Sequence, residues 1–277
     1  PEADCTAEAP RLTISVTRLE QLSPALLELG CPARVYIPLE EVSRLESLPG
    51  EGPEWCAVLP RVWRDRDEPA LRTLLERARA LGFTGVLIGN LGHLPLVRGL
   101  DFHLYGDYGL NVFNSRSLAY LKDKELESAC VSFELRFAQI RDLKKVLRAE
   151  AIVYGRLPLM ITENCLVQNE TGCRLDRQGL CVPEDGPCRC GQPNVLVDRT
   201  GAAFPLLPAY GHRTEIQNSK PLYLADRPEH RRLGLAYARL RFTTETAEEC
   251  VSVVQNYLDA APAAGDFTRG LYERGVE

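Results

Sequence analysis

Histidine and methionine are scarce in this 277-residue chain, with four of the first and a single residue, Met160, of the second. The chain opens at Pro1, and a lone methionine at position 160 leads us to expect a piece of a longer polypeptide. No apolar run approaches the roughly 20 residues that cross a bilayer, and no charged-then-apolar leader opens the sequence. A cytoplasmic protein is the expectation. There is no surplus of positive charge: 33 Lys and Arg against 38 Asp and Glu give −5, which offers no global attraction for nucleic acid or anionic lipid. The motifs GxSxG, HExxH and the Walker A loop are absent, which removes the commonest serine-hydrolase, zinc-protease and nucleotide-phosphate signatures. CxxC knuckles are absent too, so the cysteines do not spell a zinc ribbon.

What the chain does have is alternation. Short apolar or β-branched runs take turns with amphipathic stretches: RLTISV (11–16), RVYIPL (34–39), WCAVLPRVW (55–63), GVLIGN (85–90), HLYGDYGLNVF (103–113), CVSFE (130–134) and AIVYGRLPLM (151–160). Helical patterns fall between them. EPALRTLLERARALG has Asp67 as its expected cap, Pro69 in its first turn and Gly82 at its end. LEEVSRLESL reads as a short helix, and RFAQIRDLKKVL carries Phe137, Ile140, Leu143 and Leu147 as one apolar stripe. From Ile161 to about Arg232 the pattern gives way to Cys, Pro, Gly, Asn and Asp. An eighth run, GLAYARLRF (234–242), follows, and then a helix whose Thr246 and Glu249 have capping-box spacing. Eight strands, most followed by a helix, predict an α/β fold: a (β/α)8 TIM-like barrel with a small Cys-rich β insertion after strand seven. An open doubly wound sheet is the alternative. The boundaries expected are 1–160 for strands one to seven, 161–232 for the insertion, and 233–277 for the eighth strand and last helix.

In such a barrel, chemistry sits at the carboxyl ends of the strands. The polar residues expected there are Asn90, Asp107, Asn111, Asn114, Glu134, Tyr154, Arg156, Arg239 and Arg241. Asp107 and Glu134 are candidate general bases, and Arg156 a candidate anion holder. Asn90, Asn111 and Tyr154 are candidate substrate contacts. Helix capping and barrel-lining ion pairs explain the same residues without catalysis. His93, His103 and His230 read as surface or capping residues.

Five of the ten cysteines crowd into ENCLVQNETGCRLDRQGLCVPEDGPCRCG (163–191), while Cys56 and Cys130 sit in apolar runs and read as small buried hydrophobes. A dense thiol cluster without a secretory leader favours metal over disulfide. His212 lies within the same insertion and offers a fourth ligand beside the thiolates, suited to zinc or an iron-sulfur cluster. Unligated thiols, a disulfide and a reactive cysteine stay open.

VYGRLPLMITENC, LVDRTGAAFPLL and IQNSKPLYLADR together resemble the peptidase U32 (collagenase-like protease) family, as do GVLIGNLG and GDYGLNVFNS upstream. The resemblance runs from about Arg11 to Leu258 and is strongest to the C-terminal barrel of the family's long members. It implies an N-terminal barrel of the same longer polypeptide as partner. Glu150, Ile152, Gly155 and Leu157 match the start of the family signature, but Pro158 stands where its first cysteine belongs. Family members that hold an iron-sulfur cluster use four cysteines of this region. The resemblance therefore implies Cys165, Cys173 and Cys190 as ligands, with Cys188 competing for the third place and His212 in the fourth. A Cys3His set suits zinc better than a 4Fe-4S cluster. For activity the resemblance implies either a hydrolase cleaving peptide or a cluster-dependent factor in RNA hydroxylation. The departure at Pro158 counts against independent catalysis by this barrel, and the alternative is a non-catalytic, metal-stabilised barrel that binds substrate or docks on its partner barrel.

Overall fold

The computed structural model describes residues 9–175, 181–182 and 189–276. They form two compact units: one from residues up to Gly155 together with those from Leu222 onward, the other Arg156–Pro221.

The first unit begins with β1 (Arg11–Ser15), α1 (Pro24–Gly30), β2 (Arg34–Pro38), α2 (Leu39–Val42), β3 (Glu54–Val58), α3 (Glu68–Leu81) and β4 (Gly85–Ile88). It continues through α4 (His93–Val97), β5 (His103–Gly106), α5 (Ser115–Asp123), β6 (Ser128–Cys130), α6 (Phe137–Asp142) and β7 (Arg148–Gly155). In the second unit lie β8 (Pro158–Thr162), α7 (Leu166–Thr171), β9 (Arg174–Leu175), β10 (Cys181–Val182), β11 (Asn194–Val197), β12 (Ala203–Ala209) and β13 (Arg213–Gln217). The chain returns to the first unit as β14 (Leu222–Tyr223), β15 (Tyr237–Arg241) and α8 (Ala247–Leu258).

Strands β1 to β7 each pair in parallel with the next, β7 pairs with β15, and β15 pairs with β1. Eight parallel strands thus close into a (β/α)8 barrel. Its strands are buried nearly throughout, as a sheet covered on both faces requires. Closure leaves no free barrel edge except where β14 adds antiparallel to the last two residues of β7. The four-stranded antiparallel sheet of the second unit runs β11-β12-β13-β8.

Local chemistry sets several boundaries. Gly82 ends α3 in the left-handed region at φ +99°, donating back to Ala78 and Arg79 carbonyls, while Leu71, Leu75 and Ala78 supply the buried stripe. Thr246 Oγ1 accepts from Glu249 N–H and Glu249 accepts from Thr246 N–H, the expected reciprocal cap of α8.

Four expected elements differ. The run 151–160 is two strands: β7 stops at Gly155, whose φ of +117° turns the chain out of the barrel, and Pro158 opens β8 in another sheet. Strand six lies earlier than CVSFE, because Ser132 Oγ accepts Glu134 N–H and folds 132–135 into a turn. The helix from Phe137 stops at Asp142, where Lys145 Nζ donates to the carbonyls of Ile140, Arg141 and Leu143; Leu143 and Leu147 therefore leave its stripe. The helix after β2 is only four residues long, since Ser43 Oγ turns back onto the Glu40 carbonyl. Among the described residues, no helix is long and apolar enough to cross a membrane.

Candidate functional site

Side chains alternate along a strand, so every second residue of each barrel strand points to the interior. Branched aliphatics usually fill such a barrel. Here Tyr36, Cys56, Leu87 and Tyr105 pack together, and beside this cluster the filling is ionic. Arg239 of β15, 1 % exposed, donates through Nε (3.0 Å) and Nη2 to Glu150 Oε2 of β7. Its Nη1 reaches Asp107 Oδ1 at 2.5 Å. Glu150 Oε1 accepts from Thr13 Oγ1 (2.6 Å) and from Tyr36 Oη (3.1 Å), and the guanidinium lies 4.5 Å from the Tyr36 ring centre. Burial works against the charge on Arg239, but Glu150 and then Asp107 outweigh it and hold its pKa well above the ordinary value. Burial first, and Glu150 second, push the Tyr36 phenol up. The cluster is one cation against two carboxylates, fixed by hydroxyl donors on neighbouring strands.

Asp107 follows β5, so this cluster reaches the carboxyl-end mouth of the barrel. Around it stand Tyr108, with the guanidinium of Arg61 5.5 Å and that of Arg241 5.8 Å from its ring centre. Arg61 lies across two glycines. A Cβ on Gly89 would meet its Cγ at 3.3 Å, and one on Gly109 would meet the Gly89 carbonyl at 2.6 Å. The small residues let this arginine lie flat at the rim. Tyr154 is buried, donates to Glu245 Oε1 at 3.1 Å, and packs against Tyr223, Phe242 and Tyr257.

The other expected site residues are not brought to this cluster. Asn90 is exposed and uses Oδ1 to accept Gly92 N–H; Asn111 is exposed and left-handed at φ +49°. Asn114 caps α5 by accepting from Arg116 and Ser117 N–H. Glu134 is half-buried in the turn after β6. Arg156 belongs to the second unit, where it donates to the carbonyls of Asn218 and Ser219.

The histidines are placed for structure. His93 is fully buried, with Nε2 3.1 Å from the Pro60 carbonyl, and burial pulls its pKa down to about 4 against that hydrogen bond. His230 contacts the Arg227 carbonyl, and His103 contacts Glu127. Burial pushes the Cys56 and Cys130 thiols far up and that of Cys250 up to about 12, so none of the three is a ready thiolate.

The sequence pattern missed one carboxyl at the mouth. Glu40 follows β2 and is half-buried; burial pushes it up to about 6, against its own backbone N–H and with help from Glu41. Only a charged residue directly after a strand end marks it, and EE after RVYIPL looks like a helix start. Glu40→Gln is therefore expected to stabilise the fold by about 1–2 kcal/mol at pH 7. A carboxyl raised in the folded state is destabilising above its folded pKa and neutral in effect below its unfolded one. The gain should thus shrink between about pH 6 and 4.5 and vanish below, as urea denaturation across that range will show. A pH-independent difference would contradict the assignment.

In the second unit, Cys165 and Cys190 place their sulfurs 3.6 Å apart. Cys165 also caps α7, accepting Gln168 N–H. Cys173 is buried with its sulfur 3.1 Å from Thr171 Oγ1. His212 occupies the β12–β13 turn at φ +59°. That turn lies at the Cys165 end of the sheet, since Thr214 pairs with Thr162 and its Oγ1 accepts Leu166 N–H. Among the described residues no three His, Cys, Asp or Glu side chains are placed to hold a metal ion, and Cys188 lies outside those residues.

The fold and these placements define a (β/α)8 barrel carrying an inserted, thiol-bearing β unit. The model of peptidase family U32 matches residues 48–194, just over half of the chain. The chain belongs to peptidase family U32. Among solved structures it is similar to the U32 peptidase Mk0906 at 9% identity, covering 89% of this chain and 98% of that one with a TM-score of 0.47. It is also similar to a plant class V chitinase mutant from Cycas revoluta in complex with (GlcNAc)3, at 12% identity, 90% and 99% coverage and a TM-score of 0.39. A search of curated proteins finds no match.

Proposed function

We propose that this chain is a metal-stabilised U32 barrel that binds a polar substrate, peptide or RNA, at its mouth, and that its thiol-bearing unit ligates zinc or a 4Fe-4S cluster. The observation that carries the metal is the 3.6 Å approach of Cys165 and Cys190, 25 residues apart. Two thiolates on one tetrahedral zinc, each bonded at about 2.3 Å, stand about 3.8 Å apart. The pair fits two positions of such a site, and Cys173 and His212 are the ligands proposed for the rest. When bound, the metal would cross-link the turn after β8 to the chain before β11 and hold the small unit folded.

A binding role for the mouth is supported by the commitments of its residues. Asp107 and Glu150 are both engaged by Arg239, while His93 and His230 contact backbone carbonyls and His103 contacts Glu127. Arg61 and Arg241 bring two guanidiniums to the Tyr108 ring at this mouth, which supports recognition of a polar group there. A catalytic reading has one specific support, the raised carboxyl of Glu40 at the same mouth. Docking on another barrel of the same polypeptide is supported by β11, whose Val195, Leu196 and Val197 are all exposed on an edge strand.

The test is metal analysis with absorption spectroscopy on anaerobically purified protein. We expect stoichiometric zinc in colourless protein, or iron with sulfide in brown protein, and loss of most of it in the Cys165→Ser/Cys190→Ser variant. Metal-free protein of unchanged stability, or full retention in the double variant, would overturn the proposal.

A further inference from the structure

The amino ends of the barrel strands form a second polar layer, on the opposite face from the mouth. Arg34 opens β2, Glu54 β3, Ser128 β6, Arg148 β7 and Tyr237 β15, and alternation turns these first residues inward. Arg34 is only 2 % exposed and is held on every side. Its Nε donates to Glu54 Oε2 (2.8 Å), Nη1 to Ser128 Oγ (2.8 Å) and Nη2 to Tyr237 Oη (3.2 Å). The guanidinium lies between two aromatic rings, 3.6 Å from the centre of Tyr105 and 4.3 Å from that of Tyr237. A planar cation clamped this way cannot swing out to solvent.

Arg34 lines a bowl of about 500 Å³, whose wall also includes Arg11, Thr84, His103, Glu127 and Arg148. The charges in it do not cancel. Glu54 is taken by Arg34 and by the Tyr105 hydroxyl. Glu127 is taken by His103, whose pKa that hydrogen bond raises. Arg11 and Arg148 form no ion pair among the described residues; Arg148 only donates to Tyr237 Oη at 3.4 Å. Three guanidiniums and a readily protonated imidazole thus face two carboxylates, in a chain of net charge −5. The amino end of a TIM barrel ordinarily serves stability. A clamped cation explains stability, but two further arginines without an ion pair among the described residues add positive charge beside it, Arg34 opposes the charge on Arg148, and an anion would relieve this.

We propose that this bowl binds a dianion of the phosphate class, with Arg11 and Arg148 donating from the rim and Arg34 fixing the charge of the floor. Guanidinium groups suit the geometry of phosphate oxygens, and two at the rim favour a dianion over a monocarboxylate. The site is independent of the mouth and of the thiol-bearing unit.

Isothermal titration of the full chain with inorganic phosphate, glycerol 3-phosphate and acetate tests this. Saturable phosphate binding is expected, with acetate at least about tenfold weaker. In the Arg11→Ala/Arg148→Ala variant phosphate binding should fall by about tenfold or more, while Arg116→Ala on exposed α5 leaves it unchanged. Arg11 and Arg148 are exposed, so circular dichroism and the urea midpoint of the double variant should match the parent. Glycerol 3-phosphate binding as tightly as phosphate would assign the site to phosphate monoesters, and binding of inorganic phosphate alone would assign it to the free ion. Absence of saturable phosphate binding, equal binding of acetate, or undiminished binding by the double variant would overturn the proposal.

Discussion

Arg239→Met is expected to destabilise the barrel by about 3–5 kcal/mol at neutral pH, the usual penalty for removing one partner of a buried ion pair. Arg239 and Glu150 are each 1 % exposed and Asp107 is 7 % exposed, so the loss cannot be made good by solvent. Methionine fills much of the same volume, which separates the charge effect from a cavity. What remains is two carboxylates in the barrel interior without the Arg239 cation, of which Glu150 alone keeps the hydroxyls of Thr13 and Tyr36. The penalty comes from leaving these buried charges without their counter-ion. Adding Glu150→Gln and Asp107→Asn to Arg239→Met removes the orphaned charges and should recover a large part of the loss. Urea denaturation of the single and triple variants at pH 7 measures both the loss and the recovery. A single variant within about 1 kcal/mol of the parent would show that the network contributes little to the fold.

That network also marks how far the sequence could be read. The eight strands were legible because a barrel strand is buried on both faces and reads as an apolar run, as VYI of β2 and VLI of β4 do. Arg239 and Asp107 stood out as polar residues near strand ends. Their pairing did not, since Arg239 is 132 residues from Asp107 and 89 from Glu150. Only closure of the barrel, which makes β7 and β15 neighbours, joins them. Glu150 drew attention through the U32 signature and not through its burial. In the thiol-bearing unit the cysteine crowding was plain, and Cys165 and Cys190 do approach. Which of the remaining thiols and His212 accompany them depends on loop geometry, which carries no periodic signal. Element ends are hard to place for the same reason: Ser132 ends β6 through one side-chain bond and Lys145 ends α6 through three, and propensity encodes none of them.

Gly155→Ala is expected to be the most damaging of the conservative changes, at about 2–5 kcal/mol. Gly155 ends β7 at φ +117°, a conformation that costs an L side chain about 1–2 kcal/mol by itself. A Cβ there would also overlap the carbonyl oxygen of Arg241, a backbone atom of β15 that cannot rotate away. Three features meet at this point. The β7–β15 register shifts between Arg239 and Leu240, β14 pairs with Gly155 through Leu222, and the chain departs for Pro158 and the second unit. An added methyl therefore presses on barrel closure where the chain both leaves and returns. Gly52→Ala supplies the control, because Gly52 has a similar φ of +111° but nothing within 4 Å of the place its added methyl would occupy. The control should lose only the conformational cost, and the excess in Gly155→Ala measures the close approach to β15. Urea denaturation of both variants gives the comparison. Equal losses would mean that β15 yields to the methyl and that backbone conformation alone makes glycine necessary where β7 ends.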